Sequence, residues 1–173
     1  LPLILKKYPN TELTLIGNAS EEQKKLLLKN AGFSENLKIV NASSQICMCK
    51  ILKQNDIFIL PSYYEALGLV AVEALACGLF TVTTEIEGLI NFLGKKINTS
   101  GIIEFVKLPR IYDVDKAYEE DKPAFVEALS EKIMLQMERL KSQKDFYSPV
   151  AEEIKKHSWE SIIDRVEEEI SGI

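Results

Sequence analysis

Residues 56–78 read DIFILPSYYEALGLVAVEALACG, and the fold follows from them. Ile57 to Leu60 is an unbroken apolar run stopped by Pro61 and Ser62, the pattern of a strand buried on both faces. Leu67 to Cys77 then reads as an apolar helix closed by Gly78. Leu79 to Thr83 is a second buried strand. Strand, turn, helix and strand in that order form a βαβ unit, which implies a parallel sheet.

Working outward, the alternation continues. Leu13 to Ile16 is a short β-favouring run that ends at Gly17-Asn18, a turn signal. Ser20 opens a helix as N-cap, with Gln23 completing a capping box. That helix is expected to carry Leu26, Leu27 and Ala31 inward and to stop at Gly32. Lys38 to Asn41 is the next strand, and Ser43 or Ser44 caps a helix through about Lys53. Thr99 to Val106 adds a further strand. The fold class is therefore α/β, a doubly wound parallel sheet of Rossmann-like type.

The last third changes character. Lys107 to Asp121 reads as a long polar loop, a functional or mobile connection. Asp121 and Pro123 start an amphipathic helix with an apolar stripe of Phe125, Leu129, Ile133, Met137 and Leu140. Ser148-Pro149 starts a short helix. Ser158 caps a final one, residues 158–170, expected to pack back through Trp159, Ile162, Ile163 and Val166. The whole chain, 1–173, reads as one Rossmann-like domain. Its opening, LPLILKKYP, reads like the tail of a helix, so the expectation is a fragment that starts inside an element.

Composition excludes several classes. A net charge of −5 with scattered lysine pairs argues against a nucleic-acid partner. Three cysteines, Cys47, Cys49 and Cys77, are too few for a disulfide framework and point to a reducing cytoplasm. With a single histidine and no second ligand pair, no metal site is expected. The apolar run from Ala66 to Val82 is broken by Glu73 and two glycines, so it is not a membrane span.

Glu73 is the only charge between Ala66 and Val82, on a helix that looks apolar on every side. A carboxylate buried there without a partner would cost several kcal/mol, so something must meet it. An internal amide or lysine is one reading, and a sugar or ribose hydroxyl pair is the other. The surroundings favour the ligand. The turn from Ser62 to Gly68 lies just past a strand's carboxyl end, where open α/β sheets bind ligands. The amides near Gly68 and Leu69 form a ready anion site, helped by the helix dipole. Gly68 lets a phosphate approach, and Glu65 stands at the mouth.

Asp56 to Ser62, followed by Glu65-Ala-Leu-Gly68 and Glu73 to Gly78, resembles the Glu-x7-Glu signature of glycosyltransferase family 4, retaining enzymes of the GT-B fold. Leu13 to Gly17 resembles that family's preceding strand and glycine, and His157 to Glu160 the opening of its last helix. The resemblance implies the donor-binding, C-terminal half of a GT-B enzyme that transfers a sugar from a nucleoside-diphosphate sugar. It implies Glu73 on the ribose hydroxyls, and Glu65 on the transferred sugar as the catalytic contact. The backbone of Ala66, Leu67, Gly68 and Leu69 would hold the diphosphate. Gly17 and the stretch around Val40 and Asn41 would line the rest of the nucleotide. It implies no metal and no cofactor beyond the donor itself.

The partner expected is an N-terminal acceptor domain of the same parent chain, and the parent could rest peripherally on the inner face of a membrane. Departures are Ala66-Leu67 for Gly-Phe, Phe80 for Pro, and Glu87-Gly88 for Gly-Gly. The basic residues that the family places on the domain's first strand would precede Leu1. Alternatives are a phosphoacceptor receiver domain around Asp56, a nucleotide-sugar epimerase, and a binding module without catalysis. Asp113-Val-Asp115 resembles a metal-binding Asp-x-Asp but lacks the flanking apolar strand. His157 reads as structural or exposed, and Tyr63-Tyr64 as a pair that either packs the loop or stacks on a base or sugar.

Overall fold

A computed structural model describes residues 1–31 and 34–171, which divide into two compact units, Leu1–Ile51 and Leu52–Ile173. In the first, a short helix α1 (Pro2–Leu5) leads to β1 (Leu13–Ile16), α2 (Glu21–Ala31), β2 (Leu37–Val40) and α3 (Gln45–Leu52). Strands β1 and β2 pair in parallel, Leu13 opposite Leu37 and Ile16 opposite Val40. The capping box forms as read: the Ser20 amide donates to Gln23 Oε1 at 2.9 Å, and the Gln23 amide to Ser20 Oγ at 3.2 Å. Ser44, not Ser43, caps α3 by accepting from the Cys47 amide.

One inward face was misread. Leu26 and Leu27 are exposed, while Lys24 and Leu28 are half-buried. Those two lie four residues apart on one stripe, so α2 is rolled to turn them inward. Gly32, expected to end the helix, lies outside the described residues, as does the Ala31 side chain.

In the second unit, β3 (Ile57–Leu60), α4 (Leu69–Ala76), β4 (Phe80–Thr84), α5 (Glu87–Asn98) and β5 (Ile103–Val106) follow in order. The strands form a parallel sheet in sequence order, β4 in the middle. Thr81, Val82, Thr83 and Thr84 on β4 are buried, whereas all of β3 is half-buried. The expected two-sided burial of β3 fails because β3 is an edge of this sheet. Helix α5 was not read from the sequence; its glycines, Gly88 and Gly94, look like loop punctuation, and Gly94 does kink it at φ 74°.

The chain then makes an antiparallel hairpin, β6 (Ile111–Asp113) and β7 (Lys116–Ala117), before α6 (Lys122–Lys141), α7 (Ala151–Lys155) and α8 (Trp159–Ser171). The stretch 107–121, expected as a loop, is thus built structure. Alternation along β5 sorts the helices onto two faces. Ile103 and Phe105 join a core with Ala71, Leu75, Leu89, Leu93 and Ile154 from α4, α5 and α7. Glu104 points the other way, to α6. Two apolar expectations fail here. Leu140 is exposed, and Trp159, expected to pack α8 down, is 63% exposed, with Ile163 exposed as well. Helix α8 has Ile162 half-buried on another stripe, and the Val166 side chain lies outside the described residues.

Helix α6 is fastened by a polar clamp at its C-terminal half. Gln136, fully buried, donates to the Thr81 carbonyl of β4 and to the Ile102 carbonyl just before β5. Arg139 donates to the Gly101 carbonyl at 2.8 Å and to Glu104 Oε1 at 2.6 Å, and Lys132 to Glu104 Oε2 at 2.6 Å. Burial pushes the Glu104 carboxyl up, but the bonds from Lys132 and Arg139 outweigh it and leave it below the usual range. A carboxyl lowered on folding stabilises the fold above its unfolded pKa and loses that contribution as pH falls through the folded value. Glu104→Gln is therefore expected to cost about 1–2 kcal/mol at neutral pH, after discounting for partial exposure. Urea unfolding should show the gap to wild type closing in acid, below the ordinary glutamate value of about 4. A gap that does not change with pH would contradict the assignment.

Candidate active site

The site loop, Pro61 to Gly68, leaves β3 at its carboxyl end. Two threonines of β4 tie it down: Thr83 Oγ1 donates to the Leu60 carbonyl at 3.2 Å and Thr84 Oγ1 to the Ser62 carbonyl at 2.6 Å. Farther along, Tyr63 meets Phe125 edge-to-face at 5.5 Å, while Tyr64 is exposed. The Ser62 hydroxyl donates to Glu65 Oε1 at 3.2 Å, so the exposed Glu65 carboxylate is held back toward its own loop.

Gly68 is the pivot. It is buried, caps α4 with φ 67° and ψ 46°, and makes no side-chain cap. A β-carbon there would stand 3.1 Å from Leu60 and 3.4 Å from Ile86. The left-handed conformation and the tight fit both require glycine. A second glycine escaped the sequence reading as a site feature. At Gly88, in the first turn of α5, a β-carbon would lie 2.4 Å from the Ala66 carbonyl oxygen. Only the Glu87-Gly88 departure noted in the sequence hinted at it.

Bent this way, the loop leaves its donors free. Among the described residues, the amides of Ala66, Leu67, Gly68, Leu69 and Val70 donate no hydrogen bond. They lie at and just before the amino end of α4, where the helix dipole adds positive potential. Such a run of unsatisfied amides, part of it at a buried glycine, has the donors to receive an anion.

Glu73 corrects the sequence reading. Helix α4 is not buried all round: Ala71, Val72, Ala74 and Leu75 are buried, but Leu69 is 43% exposed, Ala76 is exposed and Glu73 is half-buried. Residues 69, 73 and 76 form one open stripe at helical spacing. The carboxylate therefore does not carry the full cost of a buried charge. It has no hydrogen-bond or ion partner among the described residues. No lysine or arginine among the described residues neutralises it. Glu73 lies one turn along the axis from Leu69, about 6 Å by helical rise.

Gly17, Val40 and Asn41 belong to the other unit. The Gly17 amide donates to the Val40 carbonyl at 3.0 Å, extending the β1–β2 ladder by one step. Val40 is half-buried and Asn41 exposed, so the three cluster at the carboxyl ends of β1 and β2.

The remaining residues have ordinary neighbours. Asp113 pairs with Lys116 at 2.9 Å and accepts from the Val114 amide. The His157 ring rests against Phe92 at 4.5 Å. All three cysteines are half-buried and free of disulfides. No group of three or more His, Cys, Asp or Glu side chains gathers to hold a metal among the described residues. No helix among them is long and apolar enough to cross a membrane.

Gly88→Ala should destabilise the second unit by about 1–3 kcal/mol, the usual cost of forcing volume into a packed contact. Urea denaturation checks this. A loss under about 0.5 kcal/mol, the size of an ordinary surface change, would mean that the close approach to Ala66 is not real.

Comparison with known proteins places the chain in a family. The sequence pattern of Glycosyl transferases group 1 matches residues 1–106. The chain is 27% identical over 110 residues to an uncharacterized glycosyltransferase of Methanocaldococcus jannaschii, covering 63% of this chain and 27% of that protein. It is 32% identical over 96 residues to a glycogen synthase of Mycobacterium tuberculosis, covering 51% and 22%. A D-inositol 3-phosphate glycosyltransferase of Segniliparus rotundus is 29% identical over 91 residues, covering 50% and 20%. The chain thus spans roughly a quarter or less of these relatives' length. Among solved structures, sucrose-phosphate synthase from Thermosynechococcus elongatus matches with TM-score 0.70 and 18% identity over 98% of this chain and 40% of that one. WaaG, a glycosyltransferase involved in lipopolysaccharide biosynthesis, matches with TM-score 0.52 and 19% identity over 84% and 38%. At such identities the structures show the fold alone.

Proposed function

The chain belongs to the glycosyl transferases group 1 family, and we propose that it is the donor-binding half of a retaining, nucleotide-sugar-dependent glycosyltransferase. The observation that carries this reading is the run of five unpaired amides, Ala66 to Val70, at the amino end of α4. A diphosphate satisfies them directly. Its charge is met by oriented N–H groups and the helix dipole, so the site calls for no metal.

Glu73 then accepts from the ribose diol, one helical turn away, and Glu65 from hydroxyls of the transferred sugar. Vicinal hydroxyls present two donors to one carboxylate, a pairing worth more than a neutral hydrogen bond. During transfer, negative charge builds on the leaving diphosphate, and fixed amides stabilise it without reorganising. The sugar departs with its anomeric configuration retained. Acceptor binding is assigned to an N-terminal domain of the parent chain, and the 173-residue chain alone is expected not to turn over, since catalysis needs both halves closed on the substrates.

Calorimetric titration of the chain with a panel of nucleoside diphosphates tests the assignment. At least one should bind, and Glu73→Ala should weaken it about tenfold, the loss of one charge-assisted hydrogen bond or slightly more. Glu65→Ala should leave nucleoside diphosphate affinity unchanged while weakening the sugar-bearing donor. Equal affinity in wild type and Glu73→Ala would remove the ribose role.

A further inference from the structure

On the donor-site reading, the diphosphate lies along the amides from Ala66 to Val70, and Glu73, past the Val70 end, meets the ribose. The nucleoside therefore occupies the Glu73 end, and the transferred sugar lies toward Ala66.

Three exposed carboxylates border that second end. Glu65 directly precedes Ala66. Gly88 makes the close approach to the Ala66 carbonyl, and Glu87 is the residue before it, one α-carbon step of about 3.8 Å away. Glu85 follows Thr84, whose hydroxyl holds the Ser62 carbonyl at 2.6 Å. Apart from the bond that the Ser62 hydroxyl donates to Glu65, none of the three has a hydrogen-bond or ion partner for its side chain among the described residues.

The nearby cations do not balance them. Register sets Thr84 opposite Val106, and the Glu85 amide donates to the Val106 carbonyl at 2.9 Å, so Lys107 follows at the next step, on the strand beside Glu85. Lys107 is exposed, and it pairs with no carboxylate among the described residues. It offsets one charge of the three. Lys122, within electrostatic reach of Tyr63 in the loop, is already bonded to Glu119. Arg110 and Lys116 are engaged in turn by Asp121 and Asp113.

The site is thus electrically two-ended. A diphosphate meets oriented N–H groups and the positive end of α4. A group one sugar farther on meets an excess of fixed negative charge. Hydroxyls and ammonium groups donate to carboxylates and are accepted there. A sugar carboxylate donates nothing and adds like charge, which costs affinity.

We infer that the site selects donors whose transferred sugar carries no acid group. This deepens the donor-binding reading and rests on it. Glu85 and Glu87 act by repulsion and touch no reacting atom.

Calorimetric titration of the 173-residue chain tests it with matched pairs: UDP-glucose and UDP-glucuronic acid, GDP-mannose and GDP-mannuronic acid, ADP-glucose and ADP-glucuronic acid. The members of a pair differ only at C6, a hydroxymethyl group against a carboxylate. UDP, GDP and ADP alone are titrated alongside. For whichever nucleotide binds, the neutral donor should bind about tenfold or more tighter than its acidic counterpart. Replacing both carboxylates, Glu85→Gln with Glu87→Gln, should narrow that gap about threefold and leave affinity for the nucleoside diphosphate unchanged. High salt should narrow it in the wild type, because the repulsion is screened. Equal affinity within a pair, preference for the acidic member, or a gap that the double variant leaves intact would overturn the inference, while nucleoside diphosphate binding would keep the donor reading. Failure of every nucleoside diphosphate and every donor to bind would strike the donor reading and take the inference with it.

Discussion

The candidate site depends on a contact that tolerates no side chain. Gly88 in α5 lies so close to the Ala66 carbonyl that a methyl group would overlap it. Gly68, two residues on, is pinned between Leu60 and Ile86 in a left-handed conformation. With Thr84 holding the Ser62 carbonyl, the loop has one path from β3 into α4. That path leaves its amides without acceptors among the described residues. The run of free amides is thus a consequence of packing rather than of any charged side chain.

The same economy explains why Glu73 can sit where it does. Four residues of α4 fill the core, and the stripe of Leu69, Glu73 and Ala76 stays open. A carboxylate on that stripe keeps part of its hydration and has no cation beside it among the described residues. It is then free to exchange water for hydroxyls of a ligand. A lysine partner would have stabilised it and spent its lone pairs.

Much of this was legible in sequence. The apolar runs at 13–16, 57–60 and 79–83 mark strands because nothing else packs four branched or aromatic residues in a row. Ser20 with Gln23 and Ser158 announce helix starts through their own hydrogen bonds, and both form. The nearly uncharged stretch after Pro61 located the site loop. What stayed hidden has physical reasons. Helix α5 carries glycines that a local reading takes for turns, and only the close approach of another strand's loop explains Gly88. The hairpin strands, three and two residues long, are too short to show alternation. Which stripe of α2, α4 or α8 is open depends on helix roll, which periodicity leaves undetermined when apolar residues occur on several sides. Trp159 and Leu26 were misread for that reason.

The account stands or falls on the amides from Ala66 to Val70. Hydrogen exchange of the chain, read by NMR at single residues with and without a saturating nucleoside diphosphate, measures them directly. The account predicts slowed exchange concentrated at Gly68, Leu69 and Val70. Protection confined to some other part of the chain, with these amides unchanged, would contradict it.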